Sequence, residues 1–236
     1  MTLFYDFHIH SGLSPCGDNE MTPNNIVNMA KLYDLDAIAL TDHNSTLNCK
    51  AVMEAGEEIG LIVIPGMELC TSEEVHIVCL FPDLKSAVKF GDYVRSTLPP
   101  IRNKPTVFGE QIVFDKNDNV LGFEHTLLIT ASTISINNVT DIVSEYGGFC
   151  FPAHIDRESY NVLSNLGMID PSFKFNCAEI FDLDSLDALK NKHSILNDMK
   201  ILSSSDAHYL EHMRLKQNSI EVEEKSIEAI LNALKK

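Results

Sequence analysis

Features that would place the chain at a membrane or outside the cell are missing from the sequence. No apolar run approaches the roughly 20 residues that a membrane-spanning helix needs, and the N-terminus lacks the basic and then apolar plan of a signal peptide. Internal repeats and low-complexity segments are also absent. A chain of 236 residues, 44% of them hydrophobic, can bury one sizeable core. We therefore expect a single cytoplasmic domain over residues 1–236, without membrane contact.

Paired cysteines are missing as well, because the six cysteines are scattered and none belongs to a Cys-x-x-Cys pair. Most of them lie in apolar runs that are typical of buried free thiols. We therefore expect buried thiols without a functional role at all six positions, which are Cys16, Cys49, Cys70, Cys79, Cys150 and Cys177.

Positive charge is scarce, since 18 Lys and Arg residues face 34 Asp and Glu residues and give a formal net charge of -16 at pH 7. Binding of nucleic acid over a broad surface depends mainly on Lys and Arg that neutralise backbone phosphates. The balance therefore predicts that long nucleic acids are not partners. Bound divalent cations would compensate part of the negative charge, because Asp and Glu can ligate them. A negatively charged protein with a positive site is compatible with this composition.

Short apolar segments, typical of buried strands, alternate with amphipathic helical segments along the chain. Thr22-Pro23 and the apolar residues behind it predict a capped helix, and residues 35–40 then predict a strand. This βα alternation implies an α/β fold with a mostly parallel sheet wrapped by helices. Residues 100–133 break the rhythm, because Gln111–Phe114 and Val120–Phe123 are typical of two strands around a turn. We expect a small β-hairpin insertion there, beside the main body.

Metal-ligating residues cluster where the predicted strands end. His8 and His10 are two residues apart on one strand, so their imidazoles leave the same face, and the loop behind them can return Asp18 toward them. In a βα barrel the C-terminal strand ends converge on one face, where such enzymes keep their active sites. The other strand ends carry Asp42, His43, Glu68, His154, Asp206 and His208.

Six short motifs in a fixed order resemble those of the PHP (polymerase and histidinol phosphatase) superfamily. They are His8-Ile9-His10, Thr41-Asp42-His43, Pro65-Gly66-Met67-Glu68, Val75-His76-Ile77-Val78, Pro152-Ala153-His154 and Ser205-Asp206-Ala207-His208. The resemblance implies a distorted (β/α)7 barrel of the TIM-like type that holds two to three divalent ions. By correspondence of motifs, the first site would take His8, His10, Glu68 and Asp206, the second would share Glu68 and add His76 and His154, and the third would take Asp18, His43 and His208.

The resemblance also implies a metal-dependent phosphoesterase that acts on a small phosphorylated substrate such as a phosphate monoester. Two neighbouring cations lower the pKa of a bound water, orient it toward phosphorus and neutralise the leaving oxygen. Mixed His and carboxylate ligands suit Zn, Mn or Fe rather than Ca. Glu68, as a carboxylate shared by two ions, and Asp206 are the predicted catalytic members of the ligand set. Asp42 is open between two roles, as a ligand or as a residue that holds an imidazole tautomer.

Arg157 is a third predicted catalytic residue, because it follows the Pro152-Ala153-His154 motif on the loop leaving the same strand end. Its guanidinium can bind two phosphate oxygens through a planar fork. The alternative is a surface pair with Asp156 or Glu158. Glu179 is also open between two roles, support of a metal ligand and a satisfied carboxylate of the core.

Three other functions stay open. Related PHP proteins include nucleases, so a nuclease or nucleotidase for short or 3′,5′-bisphosphate nucleotides is the first. An amidohydrolase-like C–N hydrolase is the second, although that class commonly uses a strand Lys as the bridging ligand and no strand end here offers one. A non-catalytic PHP module is the third, although such modules typically lose ligands and all nine positions are filled here.

Overall fold

The computed structural model describes all 236 residues and contains ten strands and eight α-helices. The strands are β1 (Thr2–Ile9), β2 (Ala37–Leu40), β3 (Ile62–Cys70), β4 (His76–Leu80), β5 (Ile112–Phe114), β6 (Val120–Phe123), β7 (Phe149–Pro152), β8 (Cys177–Glu179), β9 (Lys200–Leu202) and β10 (Ser219–Glu221). The helices are α1 (Pro23–Leu32), α2 (Cys49–Glu58), α3 (Leu84–Thr97), α4 (Pro105–Phe108), α5 (Ile136–Glu145), α6 (Val162–Leu166), α7 (Leu186–Lys192) and α8 (Ile227–Lys235).

Helix starts follow local capping chemistry. Thr22 caps α1 by accepting a hydrogen bond from the Asn25 backbone N, and Pro23 occupies the first turn, where its missing N–H costs nothing. Asp83 caps α3 in the same way, through the Ser86 backbone N. The longest of these helices has 14 residues, and no helix combines the length and the apolar character needed to cross a membrane.

The main sheet has six strands in the order β10-β1-β2-β3-β4-β7. The pairs β1–β2 and β2–β3 are parallel, whereas β3–β4, β4–β7 and β1–β10 are antiparallel. The sheet is therefore mixed, and the expectation of a mostly parallel sheet is wrong for it. Only residues 71–75 connect β3 to β4, and a parallel crossover needs roughly a dozen residues or more. The short connection therefore makes these two strands a hairpin.

Backbone hydrogen bonds curl the sheet toward the separate parallel pair β8–β9. The Ile155 N donates to the Glu179 O at 2.9 Å and thereby links the end of β7 to β8. The segment after β9 runs beside β1, where the His10 N donates to the Ala207 O at 2.9 Å. Seven strands thus follow one another around an irregular barrel, in the order β1, β2, β3, β4, β7, β8 and β9. The predicted α/β class and the distorted TIM-like barrel are confirmed.

Three apolar clusters hold the strands and helices together. One packs Phe7 and Phe151 against α8 side chains such as Ile230. A second joins α3 and α5 to the other strands through residues such as Phe90, and a third packs α1 and α2 through residues such as Val52. Burial of large side chains at about 25 cal/mol per Å² is the main stabilising contribution to such a fold. The strand ends that carry the polar residues are thus fixed by a well-packed apolar core.

The β-hairpin predicted within residues 100–133 is present as β5 and β6, which pair antiparallel. It lies against the loop after β1, because the Ile112 N donates to the Gly12 O at 2.8 Å. Asn48 ties it to the start of α2, where its Oδ1 accepts a hydrogen bond from the Phe114 N at 2.9 Å. The hairpin therefore supports the loop that follows the His8-Ile9-His10 motif.

Candidate metal centre

Glu68 lies at the middle of the candidate metal centre, where β3 is held between β2 and β4. Glu68 is buried, with only 1% of its surface exposed, and three imidazoles surround its Oε1. This oxygen lies 3.2 Å from the His8 Nε2, 3.0 Å from the His76 Nδ1 and 3.1 Å from the His154 Nε2. The register Cys70↔His76 places the start of β4 beside the end of β3 and so brings His76 to this carboxylate.

The second oxygen of Glu68 faces two more histidines. Oε2 lies 2.8 Å from the His43 Nδ1 and 3.5 Å from the His10 Nε2. Asp206 closes the group from the segment after β9, since its Oδ1 lies 3.4 Å from the His8 Nε2 and 3.3 Å from the His10 Nε2. His8 and His10 therefore stand between the buried carboxylate of Glu68 and the mostly buried carboxylate of Asp206.

Six atoms that face this centre make no hydrogen bonds within the protein, although buried polar atoms nearly always do. They are the His8 Nε2, His10 Nε2, His43 Nδ1, Glu68 Oε2, His76 Nδ1 and Asp206 Oδ1. Three groups have all their ligand atoms within 4.8 Å of one another, namely His8, His10 and Glu68, then His43, Glu68 and His76, and finally His10, His43 and His208. Converging imidazoles and carboxylates without partners are the donor set of a divalent transition metal, so these residues fit the ions that the motifs imply.

Glu179, at the end of β8, supports His8 from behind. Its Oε2 lies 2.8 Å from the His8 Nδ1 and accepts a hydrogen bond from the His154 backbone N at 3.1 Å. The carboxylate keeps the His8 proton on Nδ1 and leaves the Nε2 lone pair for a metal. Of the two roles considered for Glu179, the structure thus favours support of a ligand.

Asp42 supports His10 through Ser14. The Ser14 Oγ donates to the Asp42 Oδ1 at 2.8 Å and lies 2.9 Å from the His10 Nδ1. Because the Ser14 hydroxyl donates its proton to Asp42, the Ser14 Oγ accepts a hydrogen bond from the His10 Nδ1–H. The His10 Nε2 is then unprotonated and free to bind a metal. Asp42 also accepts hydrogen bonds from the Ser11 N and Oγ, both at 2.7 Å. These contacts assign Asp42 to holding a tautomer, the second of its two expected roles.

The third group joins His208 to His10 and His43. The His208 Nδ1 lies 2.9 Å from the Asp206 backbone O, which leaves its Nε2 available, and its ring stacks on that of His10 at a centroid distance of 4.0 Å. The structure does not bring Asp18 into this group. Its Oδ1 accepts a hydrogen bond from the Glu20 N at 2.8 Å, and the residue does not line the cavity over the centre. A ligand role for Asp18 stays a prediction.

Arg157 lies at the rim of the centre rather than in a surface pair. Its Nη2 is 3.3 Å from the Asp206 Oδ2, and its guanidinium stacks on the Phe181 ring at 4.0 Å. Asp156 is occupied elsewhere, because its carboxylate accepts hydrogen bonds from the Phe181 and Asp182 backbone N atoms at 2.8 and 2.7 Å. The surface pairing with Asp156 is therefore not formed, and the guanidinium faces the cavity beside a predicted ligand.

A cavity of about 500 Å³ opens over the centre, within the usual range for small-molecule sites. Cys16 and Tyr160 line it, and neither was expected from the sequence. The Tyr160 ring stacks on that of His76 at 5.0 Å, and the residue is 47% exposed. An isolated tyrosine carries no pattern that would have revealed this position. Cys16 belongs to the loop after the His8-Ile9-His10 motif, and that location was its only signal.

Three non-glycine residues around the cavity have left-handed backbone conformations. The φ angles are 29° at His154, 55° at Tyr160 and 50° at Asp206. Such conformations cost about 1–3 kcal/mol each and cluster at functional sites. The surrounding packing thus holds these three residues in a backbone conformation that non-glycine residues disfavour.

Electrostatics keep the carboxylates charged and favour neutral His10 and His76, whereas neighbouring groups raise the pKa values of His8, His43 and His208. Burial would raise the pKa of the Glu68 carboxyl, but neighbouring histidines, first among them His76, hold it well below its ordinary value. The pKa of Asp206 is likewise lowered, since His8 and His10 together outweigh the effect of burial. Burial lowers the pKa of His10 and of His76. Ionised carboxylates and neutral imidazoles are the states that bind cations.

Comparisons with known proteins find partial relatives and similar folds, some of which are named as nucleases. The chain is 34% identical over 83 residues to a 5′-3′ exoribonuclease of Haemophilus influenzae, and the match covers 34% of this chain and 29% of that protein. The endonuclease Q of Pyrococcus furiosus has a similar fold, with a TM-score of 0.71, 20% identity and coverage of 100% of this chain and 56% of that one. An endonuclease Q in complex with a 27-mer duplex gives a TM-score of 0.70 at 20% identity, covering 100% of this chain and 57% of that one. The chain thus spans less than a third of the exoribonuclease and a little over half of the endonuclease.

The expectation that excluded long nucleic acids is wrong. It was drawn from the net charge of -16, yet an endonuclease with this fold was solved on a 27-mer duplex, and the exoribonuclease is named for its action on RNA. Net charge sums the whole molecule, whereas a nucleic acid meets one face of it. In this chain several acidic groups are buried at the centre, including Asp42, Glu68 and Glu179, and divalent ions would neutralise such groups.

The PHP domain family matches residues 6–230, which is nearly the whole chain. The match spans all six motifs, from His8-Ile9-His10 to Ser205-Asp206-Ala207-His208, and the resemblance seen in the sequence is confirmed. The chain belongs to the PHP domain family, a family of metal-dependent hydrolases.

Proposed function

We propose that this protein is a metal-dependent phosphoesterase whose substrate is a nucleotide phosphate ester, either at the end of a nucleic acid chain or in a short oligonucleotide. The observation that carries the proposal is the convergence of buried, unpaired imidazole and carboxylate atoms around Glu68, with the Arg157 guanidinium beside them at the mouth of the cavity. The cations that bind an ester phosphate and the Arg157 guanidinium that binds its remaining oxygens would then lie on the same side of the cavity.

The metal ligands in this proposal follow the groups seen in the structure. His8, Glu68 and Asp206 would hold one ion, and His76 and His154 would hold a second together with Glu68. The single free nitrogen of His10 would serve only one ion, either the first or an ion bound by His43 and His208. Such ions supply an activated water and neutralise the charge of the leaving oxygen.

The remaining residues position these ligands and the substrate. Glu179 fixes the His8 proton on Nδ1, as the Ser14 hydroxyl does for His10. Arg157 binds phosphate oxygens that the ions leave free, and its stacking on Phe181 limits the freedom of the guanidinium. No protein nucleophile is required, because water attacks phosphorus.

A nucleotide is favoured as the substrate for two reasons. Three curated relatives are exoribonucleases, with identities of 34–36% over about a third of this chain. The cavity of about 500 Å³ also presents Tyr160, whose exposed ring is suited to stack a base. A small phosphate monoester is the second candidate, because a terminal phosphate has additional oxygens for Arg157 to bind.

The proposal is tested with metal-reconstituted protein and a panel of 5′-labelled RNA and DNA oligonucleotides, mononucleotides, 3′,5′-bisphosphates and sugar phosphates. Glu68→Gln is the inactive control, and it identifies any contaminating nuclease. Release of mononucleotides from oligonucleotides supports the nuclease, and release of inorganic phosphate from the small esters alone supports the monoesterase. Absence of hydrolysis of every phosphate ester by fully metallated protein would overturn the phosphoesterase.

A further inference from the structure

Cys16 stands at the open side of the group formed by His10, His43 and His208. Its thiol is within hydrogen-bond reach of the His43 and His208 side chains, and it lines the same cavity. It is the one exposed cysteine, whereas the other five are buried. Cys16 therefore differs from the thiols that merely fill the core, since its surroundings are imidazoles rather than apolar side chains.

The loop that carries Cys16 is held in place by its backbone. The Asp18 N donates to the His208 O at 2.8 Å and ties the loop directly to the segment of a predicted ligand. Gly17 makes the tight turn possible, because a Cβ at this position would lie 2.4 Å from the Ser11 O. The same turn that brings Cys16 toward the histidines leaves the Asp18 carboxylate on the Glu20 N.

The three histidines indicate a cation site independently of the cysteine. His10 is fully buried and its Nε2 has no hydrogen-bond partner. Its ring centroid lies 4.0 Å from that of His208 and 4.5 Å from that of His43. Protonated imidazoles would repel one another at these distances, whereas neutral ones can share a metal ion. The group offers three nitrogen ligands, one fewer than a tetrahedral zinc site takes.

We propose that Cys16 fills this position as a thiolate ligand to the ion held by His10, His43 and His208, in the place that the motif correspondence gave to Asp18. The free nitrogen of His10 then serves this ion and not the one held by His8, Glu68 and Asp206. Three nitrogens and one sulfur match the tetrahedral ligand sets of zinc. A thiolate is a soft ligand, so this site would favour Zn or Fe over Mn or Mg. The inference concerns metal binding and goes beyond the proposed hydrolysis, so it does not depend on the substrate.

Cobalt substitution tests the assignment directly. Metal-free protein is titrated with Co²⁺, and the thiolate-to-cobalt charge-transfer absorption in the near ultraviolet is recorded for the wild type, Cys16→Ser and Asp18→Asn. We expect the band in the wild type and in Asp18→Asn, and its loss in Cys16→Ser together with one metal ion per chain. The assignment is overturned if the wild type binds cobalt without the band, if Cys16→Ser retains the band, or if Asp18→Asn loses the ion while Cys16→Ser keeps it.

A second measurement needs no variant and guards against misfolding of Cys16→Ser. Wild-type protein, metal-free or loaded with Zn²⁺, is treated with iodoacetamide, and alkylation is followed residue by residue with mass spectrometry. Because Cys16 is the exposed thiol, it should react first in the metal-free protein, and zinc should slow its alkylation by about tenfold or more. Equal rates with and without zinc at full occupancy would refute the ligand role.

Discussion

Replacement of Glu68 by Gln removes a single charge from the middle of the centre while it preserves the shape of the side chain. The carboxylate belongs to two of the three ligand groups, and its two oxygens face His8, His76 and His154 on one side and His10 and His43 on the other. The amide of Gln would keep one acceptor but present an NH2 donor where a second ion needs a ligand. We therefore expect both sites that share Glu68 to weaken together.

The size of the effect follows from the charge that is lost. Two unit charges about 4 Å apart, at an effective dielectric constant near 20, interact by about 4 kcal/mol. That energy corresponds to roughly a thousandfold in a binding constant, since about 1.4 kcal/mol is tenfold. Affinity of these sites for divalent ions should fall by about this factor, and kcat/KM by at least as much. The group of His10, His43 and His208 lacks Glu68 and should keep its ion.

Three measurements test the expected loss of metal affinity and activity in Glu68→Gln. They are metal content by elemental analysis, metal affinity by competition with a chelator, and kcat/KM on a verified substrate. Glu158→Gln is the matched control, because Glu158 lines the same cavity but is exposed and belongs to none of the ligand groups. That variant should bind metal as the wild type does. Full metal occupancy with unchanged turnover in Glu68→Gln would show that this carboxylate is not shared between ions.

Three further predictions follow from the surroundings of the centre. Glu179→Gln should lower metal affinity or activity by about 10–100-fold, because the His8 Nδ1 loses its carboxylate; wild-type affinity would contradict the supporting role. Arg157→Ala should reduce kcat/KM by the equivalent of about 1.5–3 kcal/mol with metal content intact, and Arg157→Lys should restore only part of the lost kcat/KM, because an ammonium lacks the planar fork. Steady-state kinetics measure both effects, and unchanged values in Arg157→Ala would return Arg157 to a surface role. Removal of metal by a chelator should lower stability by about 2.7 kcal/mol when the ion had been present at about 100 times its Kd, or very roughly 5–10 °C in Tm; an unchanged Tm after verified metal removal would argue against metal binding in the folded state.

The hairpin and the main sheet illustrate which parts of the fold are readable from local patterns. β5 and β6 were predictable, because two apolar segments flank a turn of polar residues and their pairing involves neighbours in the chain. The antiparallel pairing of β3 with β4 was not predicted. The apolar pattern of each strand is the same in both orientations, and the connection over residues 71–75 decides between them only when the strand ends are known.

The sequence by itself determined the α/β class, the order of the motifs and the residue types that could face one site, because these depend on local periodicity and side-chain chemistry. Only the tertiary structure decided the contacts among distant segments. It paired Glu179 with His8, 171 residues away, aimed Arg157 at Asp206, and turned Cys16 rather than Asp18 toward the histidines. The physical reason is that a side chain's partner is set by the packing of strands far apart in the chain and by the turn that Gly17 permits, and no local pattern of residues encodes either one.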